Sequence, residues 1–237
     1  MKKLIVTMCM DNWEPEITSL TFPLMKYHAR KIGADFLLLD QRKLPRLPLQ
    51  LERFQIYDIA EKYDWVIQLD ADLLIHPDMP DVTQHITKDT VLISRWDLLS
   101  KRFKTDRYFQ RDGRNISVPG FFTVTSDWCK EFWKLPTDIT LEEALDATFP
   151  LVHEWGERKV DKTHIVFDYL TSRNVAKYGL RVKSFQELFS ELHTKYSIGG
   201  IEDYICHNSH LPIHHKRVHL KNVVSQHWKL NIDNLPH

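Results

Sequence analysis

The sequence predicts an α/β protein with a mixed, mainly parallel central sheet that is flanked by helices. Over residues 3–75, apolar stretches of strand length alternate with stretches of helical periodicity, which is typical of a sheet with parallel strand pairs. The chain has 237 residues, 43% of them hydrophobic and 27% charged, a composition that supplies a globular protein with a substantial core. Because no repeat, linker or low-complexity tract divides the chain, we expect a single domain over residues 1–237.

The first half of the chain contains three predicted strands separated by two predicted helices. Lys3–Met8 is a short apolar run of buried-strand type, and it lacks the small-residue cleavage site that a signal peptide would have. A helical pattern follows this run and ends at Gly33, a residue suited to the C-terminal cap of a helix. Asp35–Leu39 is the second predicted strand, Leu51–Lys62 the second helix and Trp65–Leu69 the third strand.

The second half of the chain is less regular. Thr140 and Glu143 have the spacing of a capping box, in which each side chain bonds the backbone of the other residue, so a helix should begin there. Further strands are predicted at Thr90–Ser94, Phe121–Thr125, Leu180–Ser184 and Arg217–Leu220, and further helices at Asp127–Lys134 and His164–Tyr178.

Composition excludes several classes of function. The 32 Lys and Arg balance the 32 Asp and Glu without a basic run, so we expect no nucleic-acid partner. None of the 7 glycines forms a dinucleotide-binding motif or a P-loop. Cys9, Cys129 and Cys206 are scattered, which suits a reducing compartment and predicts a cytoplasmic protein. No stretch approaches the ~20 apolar residues of a membrane span.

The third predicted strand leads directly into two aspartates, Asp70 and Asp72. Ligands of open α/β sheets bind at the carboxyl edge of the strands, and residues i and i+2 of an extended segment point the same way. Two converging carboxylates repel each other, and a divalent cation that also binds a substrate phosphate relieves that repulsion. A pair of solvated turn aspartates is the alternative interpretation of a bare D-x-D.

The stretch from Leu51 to Asp72, a helix, a turn, a strand and the D-x-D, resembles the GT-A glycosyltransferases. The resemblance is clear over residues 1–125. It implies a single GT-A-like domain that transfers a sugar from a nucleoside-diphosphate sugar, most often a UDP-sugar, to a hydroxyl of a glycan or other acceptor. It also implies Mn²⁺ or Mg²⁺ at Asp70 and Asp72, with a nucleotide-binding half over residues 1–125 and an acceptor-side half over residues 126–237.

The same resemblance implies which other residues contact the nucleotide sugar. Thr7 and Met8 end the first strand, which borders the nucleotide in such enzymes, and Arg53 lies on the helix that precedes the D-x-D strand. The remaining members of the expected donor site are Asp70, Ala71 and Asp72 in the motif, Trp96 directly after the Thr90–Ser94 strand, and Lys221, placed to meet a phosphate.

Many GT-A enzymes complete the metal site with a histidine near the C-terminus, and this chain has 13 histidines. The resemblance implies His219, at the end of the predicted Arg217–Leu220 strand, as the third ligand, with His207, His227 or a water molecule as the alternatives. A neutral imidazole favours Mn²⁺ over Mg²⁺, since Mg²⁺ prefers oxygen ligands.

The transfer chemistry sets the remaining expectations. An inverting enzyme needs a carboxylate general base, whereas a retaining enzyme does not require one. Asp161 and Asp168 are the candidate catalytic residues, because their segment occupies the place of a helix that lies near the sugar in the family, and Glu154 is a third candidate. Two other functions stay open: a haloacid-dehalogenase-like phosphohydrolase, which carries its D-x-D on the first strand, and a non-catalytic protein that binds nucleotide sugars or carbohydrates.

Overall fold

The computed structural model describes residues 1–94, 121–148, 162–207 and 211–235. Its strands are β1 (Lys3–Met8), β2 (Ala34–Leu39), β3 (Trp65–Asp70), β4 (Leu74–Ile75), β5 (Thr90–Ile93), β6 (Phe122–Ser126), β7 (Arg181–Ser184) and β8 (Ile205–Cys206). Its α-helices in these residues are α1 (Pro15–Ile32), α2 (Ile56–Ala60), α3 (Leu141–Thr148), α4 (Lys162–Tyr178), α5 (Phe185–Tyr196) and α6 (Ile213–Asn222). The longest 3₁₀ segments are Leu49–Gln55 and Asp127–Trp133, and a π-helical turn, Val223–His227, extends α6.

Six strands form the central sheet in the order β2-β1-β3-β6-β5-β7. Strand β1 pairs in parallel with both β2 and β3, and β5 pairs in parallel with β7. Strand β6 is antiparallel to its neighbours β3 and β5. The sheet is therefore mixed and mainly parallel, and helices flank it, as the sequence predicted.

Both faces of the sheet are buried at its centre, where successive side chains of β1 and β3 enter different cores. Leu4, Val6 and Val66 join the core formed with the two 3₁₀ segments, α2, α3 and α4. Ile5 and Ile67 alternate with them and join the core formed with α1, α5 and α6. This two-sided burial explains why the strands appear in the sequence as continuous apolar runs rather than as alternating patterns.

Local signals set the ends of several helices as predicted. The Thr140 hydroxyl accepts a hydrogen bond from the Glu143 backbone N–H at 3.1 Å, and the Glu143 carboxylate accepts one from the Thr140 N–H at 2.7 Å. This capping box begins α3. Gly33 ends α1 at a φ of 68°, a left-handed conformation that glycine adopts without steric cost.

Three predicted elements differ from the structure, one of which is the helix Asp127–Lys134, since it forms as the 3₁₀ segment Asp127–Trp133. The predicted strand Arg217–Leu220 is wrong, because these residues lie inside helix α6. Pro212 precedes the first turn of α6, and Lys216 and Leu220 are its buried residues, four positions apart, which is a helical rather than a strand spacing. The predicted helix Leu51–Lys62 forms as a 3₁₀ segment followed by the short α2.

A second, two-stranded sheet lies beside the carboxyl edge of the central one. Strand β4 pairs antiparallel with β8, so that Leu74 lies opposite Cys206 and Ile75 opposite Ile205. This pairing brings the residue after β8, His207, next to the turn that follows β3. Within the described ranges, no helix is sufficiently long and apolar to cross a membrane.

Candidate metal centre

Asp70 is the last residue of β3 and is anchored on both sides of its strand. Its Cα is paired with Met8 of β1, and its backbone N–H donates to the Phe121 carbonyl at 2.9 Å. Its carboxylate accepts hydrogen bonds from Arg53 Nη2 at 2.5 Å and from Gln68 Nε2 at 3.2 Å. Asp70 thus lies at the ligand edge of the sheet, as the D-x-D pattern predicted.

Arg53 lies in the 3₁₀ segment Leu49–Gln55, which packs on the face of the sheet that carries the side chains of Leu4, Val6 and Val66. From there its guanidinium reaches the Asp70 carboxylate. Its guanidinium carbon lies 5.0 Å from the ring centroid of Phe167 on α4, within the range of a cation–π contact. The Arg53 Nε is buried and has no hydrogen-bond partner within the described part of the chain. A buried donor without a partner is costly to the fold.

Asp72 follows two residues later, in a turn held by helix α1. The Thr21 hydroxyl of α1 donates to the Ala71 carbonyl at 2.6 Å, which fixes the backbone between the two aspartates. Asp72 Oδ1 lies 3.1 Å from His207 Nε2, and its Oδ2 accepts a hydrogen bond from the Lys216 ammonium of α6.

The surroundings of Asp72 keep its carboxylate ionised. Burial on its own raises the pKa of Asp72, but the hydrogen bond and charge of His207, together with the charge of Lys216, outweigh burial and hold this pKa well below its usual range. Asp72 therefore carries a full negative charge at neutral pH.

Asp70, Asp72 and His207 form a group that fits a metal ion. One ligand atom from each residue lies within 4.8 Å of the other two, and His207 Nε2 is 3.7 Å from Asp70 Oδ2. Two ligand atoms that lie ~2.1 Å from an ion, at right angles, are ~3 Å from each other. Small side-chain shifts would therefore bring these three ligand atoms into the coordination distance of one ion. Phe121 stacks on the His207 ring at 4.5 Å between centroids and 20° between planes, which orients the imidazole.

A cavity of about 670 Å³ opens beside this group. His207 is a member of the metal-fitting group and also lines the cavity, so a ligand in the cavity would lie next to the aspartates. Apart from His207, the cavity is lined by Glu202, Ile205, Cys206, His219, Asn222, Val223, Gln226, His227 and Trp228. The mixture of imidazole, amide and carboxylate groups around one indole ring is suited to a polar ligand with an apolar face.

The structure brings His207, rather than His219, to the aspartates. His219 lies on α6, where its Nε2 is 3.6 Å from Cys206 Sγ, and it lines the cavity. The predicted ligand depended on a strand end at Arg217–Leu220, and the helix places the side chain elsewhere. Lys221, expected near a phosphate, pairs instead with Glu16 at 3.3 Å on an exposed surface.

Some of the other expected donor-site residues lie near Asp70, and others do not. Met8 lies directly beside Asp70, and the Ala71 backbone forms part of the same turn. The Thr7 side chain is fully buried and has the strand parity of Ile5, so it points to the face packed by α1. Trp96 lies outside the described residues.

The expected catalytic carboxylates are only partly described. Asp168 is half-buried on α4, one residue after the Phe167 ring that contacts Arg53. Asp161 and Glu154 lie outside the described ranges. Glu202, which the sequence analysis did not single out, supplies a carboxylate to the cavity wall.

Two residues of this site were missed by sequence reasoning in different ways. His207 was considered only as an alternative, although the short apolar pair Ile205–Cys206 before it matches the Leu74–Ile75 pair after the motif. Lys216 was not considered at all, because a lysine in a His- and Lys-rich segment suggests a solvated surface. The helical spacing from Lys216 to Leu220 and Val224, all buried, was the available signal.

No protein-family model matches this sequence, and no curated protein matches it. Among solved structures, a glycosyltransferase involved in the glycosylation of the major capsid of PBCV-1 is similar over 93% of this chain and 99% of its own, with 12% sequence identity and a TM-score of 0.54. A Drosophila β-1,4-galactosyltransferase 7 mutant in complex with manganese, UDP-Gal and xylobiose is similar over 91% of this chain and 74% of its own, at 13% identity. Its TM-score of 0.45 is too low to support an inference. The first likeness shows that this chain has a glycosyltransferase fold, so the resemblance to the GT-A enzymes is confirmed at the level of the fold.

Proposed function

We propose that this chain is a metal-dependent glycosyltransferase that moves a sugar from a nucleoside-diphosphate sugar, with a UDP-sugar as the first donor to test, to an acceptor hydroxyl. The observation that carries the proposal is the convergence of Asp70, Asp72 and His207 at the carboxyl edge of a sheet with the glycosyltransferase fold. Two carboxylates and one imidazole suit Mn²⁺, and Mg²⁺ is the alternative ion.

The leaving group of this transfer is a nucleoside diphosphate, whose developing negative charge must be neutralised. A divalent ion supplies Lewis acidity when it is bound. Arg53 and Lys216, which lie beside the two aspartates, present cationic N–H donors to the same space. The backbone of Thr7 and Met8, at the end of β1, borders the nucleotide in this proposal.

The cavity beside His207 is the proposed place of the acceptor, a glycan or another hydroxyl compound. The flat face of Trp228 suits a sugar ring, and the carboxylate of Glu202 is a candidate general base beside Asp161 and Asp168. Residues 1–125 are then the nucleotide-binding half of one domain and residues 126–237 the acceptor-side half. A cytoplasmic location is proposed because Cys9, Cys129 and Cys206 are scattered through the sequence, which suits a reducing compartment.

The test is a panel of sugar nucleotides assayed for release of nucleoside diphosphate, first with Mn²⁺ and then with excess chelator. We expect turnover of at least one donor with Mn²⁺ and its loss on chelation. Turnover that survives both chelation and the change Asp72→Asn would contradict the metal site. Saturable binding of a donor without turnover of any would support the non-catalytic alternative instead.

A further inference from the structure

The Lys216 ammonium occupies one oxygen of the proposed metal ligand Asp72. The Lys216 side chain is only 4% exposed, and its Nζ donates to Asp72 Oδ2 while His207 lies at the other oxygen. Lysine is almost never buried to this extent unless it is paired with a carboxylate. The Lys216 side chain is thus buried within the site and does not lie on its surface.

The charges at this edge are balanced before any metal ion arrives. Arg53 pairs with Asp70 at 2.5 Å, and Lys216 pairs with Asp72, so two cations face two carboxylates. A divalent ion that joins this group leaves an excess of positive charge close to the Lys216 ammonium. Repulsion between the ion and the ammonium must weaken metal binding until an anion enters, and a diphosphate is an anion of suitable charge.

Among the described residues, the hydrogen bond of the Lys216 ammonium to Asp72 leaves N–H donors for such an anion. An ammonium carries three N–H donors, and Asp72 is the sole hydrogen-bond partner of Lys216 Nζ among the described residues. The flexible four-carbon stem of lysine allows the ammonium to move from a carboxylate oxygen to a nearby phosphate oxygen without a change in the backbone.

We propose that Lys216 is an internal counter-ion of Asp72 that moves to the diphosphate when metal and nucleotide bind, so that the two ligands bind cooperatively. The inference rests on the proposed function and adds a regulatory property of the same site. Because coupling between two ligands is reciprocal, the nucleotide tightens metal binding by the same factor as the metal tightens nucleotide binding.

A purely structural ion pair is the alternative, and the chain contains one for comparison. Lys3 Nζ lies 2.5 Å from Asp81 Oδ2 and also donates to the Ile32 carbonyl at 3.0 Å, while Asp81 accepts further bonds from Thr83 and Gln84. Other protein groups therefore form hydrogen bonds with both members of the Lys3–Asp81 pair. The Lys216–Asp72 pair instead faces a second carboxylate, Asp70, and a histidine at the wall of a cavity.

The experiment measures Mn²⁺ affinity by calorimetry or electron paramagnetic resonance, with and without UDP, for the unmodified protein and for Lys216→Met, which keeps the length of the side chain. For the unmodified protein we expect UDP to tighten Mn²⁺ binding about 5–150-fold, the usual range for coupled sites. For Lys216→Met we expect tighter Mn²⁺ binding without UDP and the loss of most of this coupling. Lys3→Met, which removes the matched buried lysine, should change neither quantity.

Mn²⁺ binding that is unchanged or weaker in Lys216→Met, with the coupling preserved, would overturn the inference and leave the proposed function standing. If Lys216→Met does not fold, the coupling in the unmodified protein decides, since Mn²⁺ binding that is indifferent to UDP contradicts a shared counter-ion. No Mn²⁺ binding with or without UDP would instead overturn the proposed function itself, and the inference with it.

Discussion

Two largely buried clusters among the described residues each combine a lysine, a histidine and an aspartate, one near either edge of the central sheet. The amino-edge cluster consists of Lys3, His28 and Asp81. The carboxyl-edge cluster consists of Asp72, His207 and Lys216. In each cluster a buried lysine pairs with the aspartate, and the side chains of Lys3 and Asp81 are 8% and 9% exposed against 4% and 17% for Lys216 and Asp72.

The clusters differ in what surrounds the aspartate. Asp81 accepts hydrogen bonds from Lys3, Thr83 and Gln84, so protein donors occupy its carboxylate. Asp72 faces a second carboxylate, and its histidine partner lines a cavity of about 670 Å³. The same residue types stabilise the fold where protein groups enclose them, and we propose that they form a ligand site where a second carboxylate and an open cavity adjoin them.

The largest expected effect is on stability at the amino edge. Asp81→Asn leaves the Lys3 ammonium buried without its counter-charge, and removal of one partner of a buried ion pair typically costs about 3–5 kcal/mol of unfolding free energy. Urea denaturation measures the loss, and Mn²⁺ affinity should not change. A loss below about 1 kcal/mol, the range of a surface pair, would show that the amino-edge cluster is not a buried stabilising one.

The next effect is on activity at the carboxyl edge. Asp72→Asn keeps the size of the side chain but removes one negative charge from the proposed metal centre. Loss of such an electrostatic contribution typically costs about 2.7–4 kcal/mol in the transition state, or about 10²–10³ in rate. Steady-state transfer from the best donor measures it, and folded Asp81→Asn protein, assayed in parallel, should keep its rate.

The pH dependence of stability should come in part from the amino edge. Burial, which is the largest cause, and the charges of Lys31 and Lys3 together lower the pKa of His28 from 6.5 to about 4, although Asp81 acts in the opposite direction. Because the unfolded chain binds the proton at higher pH, the contribution is full above pH 6.5 and is lost as the pH falls toward about 4. The shift corresponds to about 3 kcal/mol.

Urea denaturation across this pH range, compared between the unmodified protein and His28→Leu, isolates that contribution from the titration of carboxylates. The unmodified protein should lose stability more steeply between pH 6.5 and about 4. Equal slopes in the two proteins would show that His28 is not held neutral by burial.

The smallest effect separates the two candidate histidine ligands. His207→Ala should weaken Mn²⁺ binding at least ~10–100-fold, since loss of even an outer-shell partner has that effect on metal affinity. His219→Ala should leave it unchanged, because the group that fits a metal ion among the described residues consists of Asp70, Asp72 and His207, whereas His219 contacts Cys206. The opposite result would restore the ligand that the sequence predicted.

The same comparison shows what the sequence can and cannot predict. Asp70 and Asp72 come at the end of a continuous apolar run, so this run alone located the carboxyl end of the strand and the carboxylates on it. His207 reaches them across 135 positions of sequence from Asp72, through the two-residue pairing of β4 with β8. A strand of two residues has no periodicity to detect.

Lys216 was missed because its burial and its pairing with Asp72 depend on contacts between distant parts of the sequence. The segment around it is rich in His and Lys, and the helical spacing to the buried Leu220 and Val224 is the one local signal that Lys216 is buried while residues 212–215 are exposed. The resemblance to the GT-A enzymes predicted that a late histidine would approach the D-x-D. It favoured His219 because residues 217–220 were predicted to form a strand, whereas the structure places them in helix α6.

The most direct measurement is an anomalous difference map from crystals grown with Mn²⁺ and UDP. The account predicts one strong peak about 2.1 Å from a carboxylate oxygen of Asp72 and from His207 Nε2. Asp70 should lie beside the ion, directly or through water, and the Lys216 ammonium should lie on a phosphate oxygen. Bound UDP without a peak among these residues, and with Lys216 still on Asp72, would contradict the claim that Asp70, Asp72 and His207 hold the catalytic metal ion.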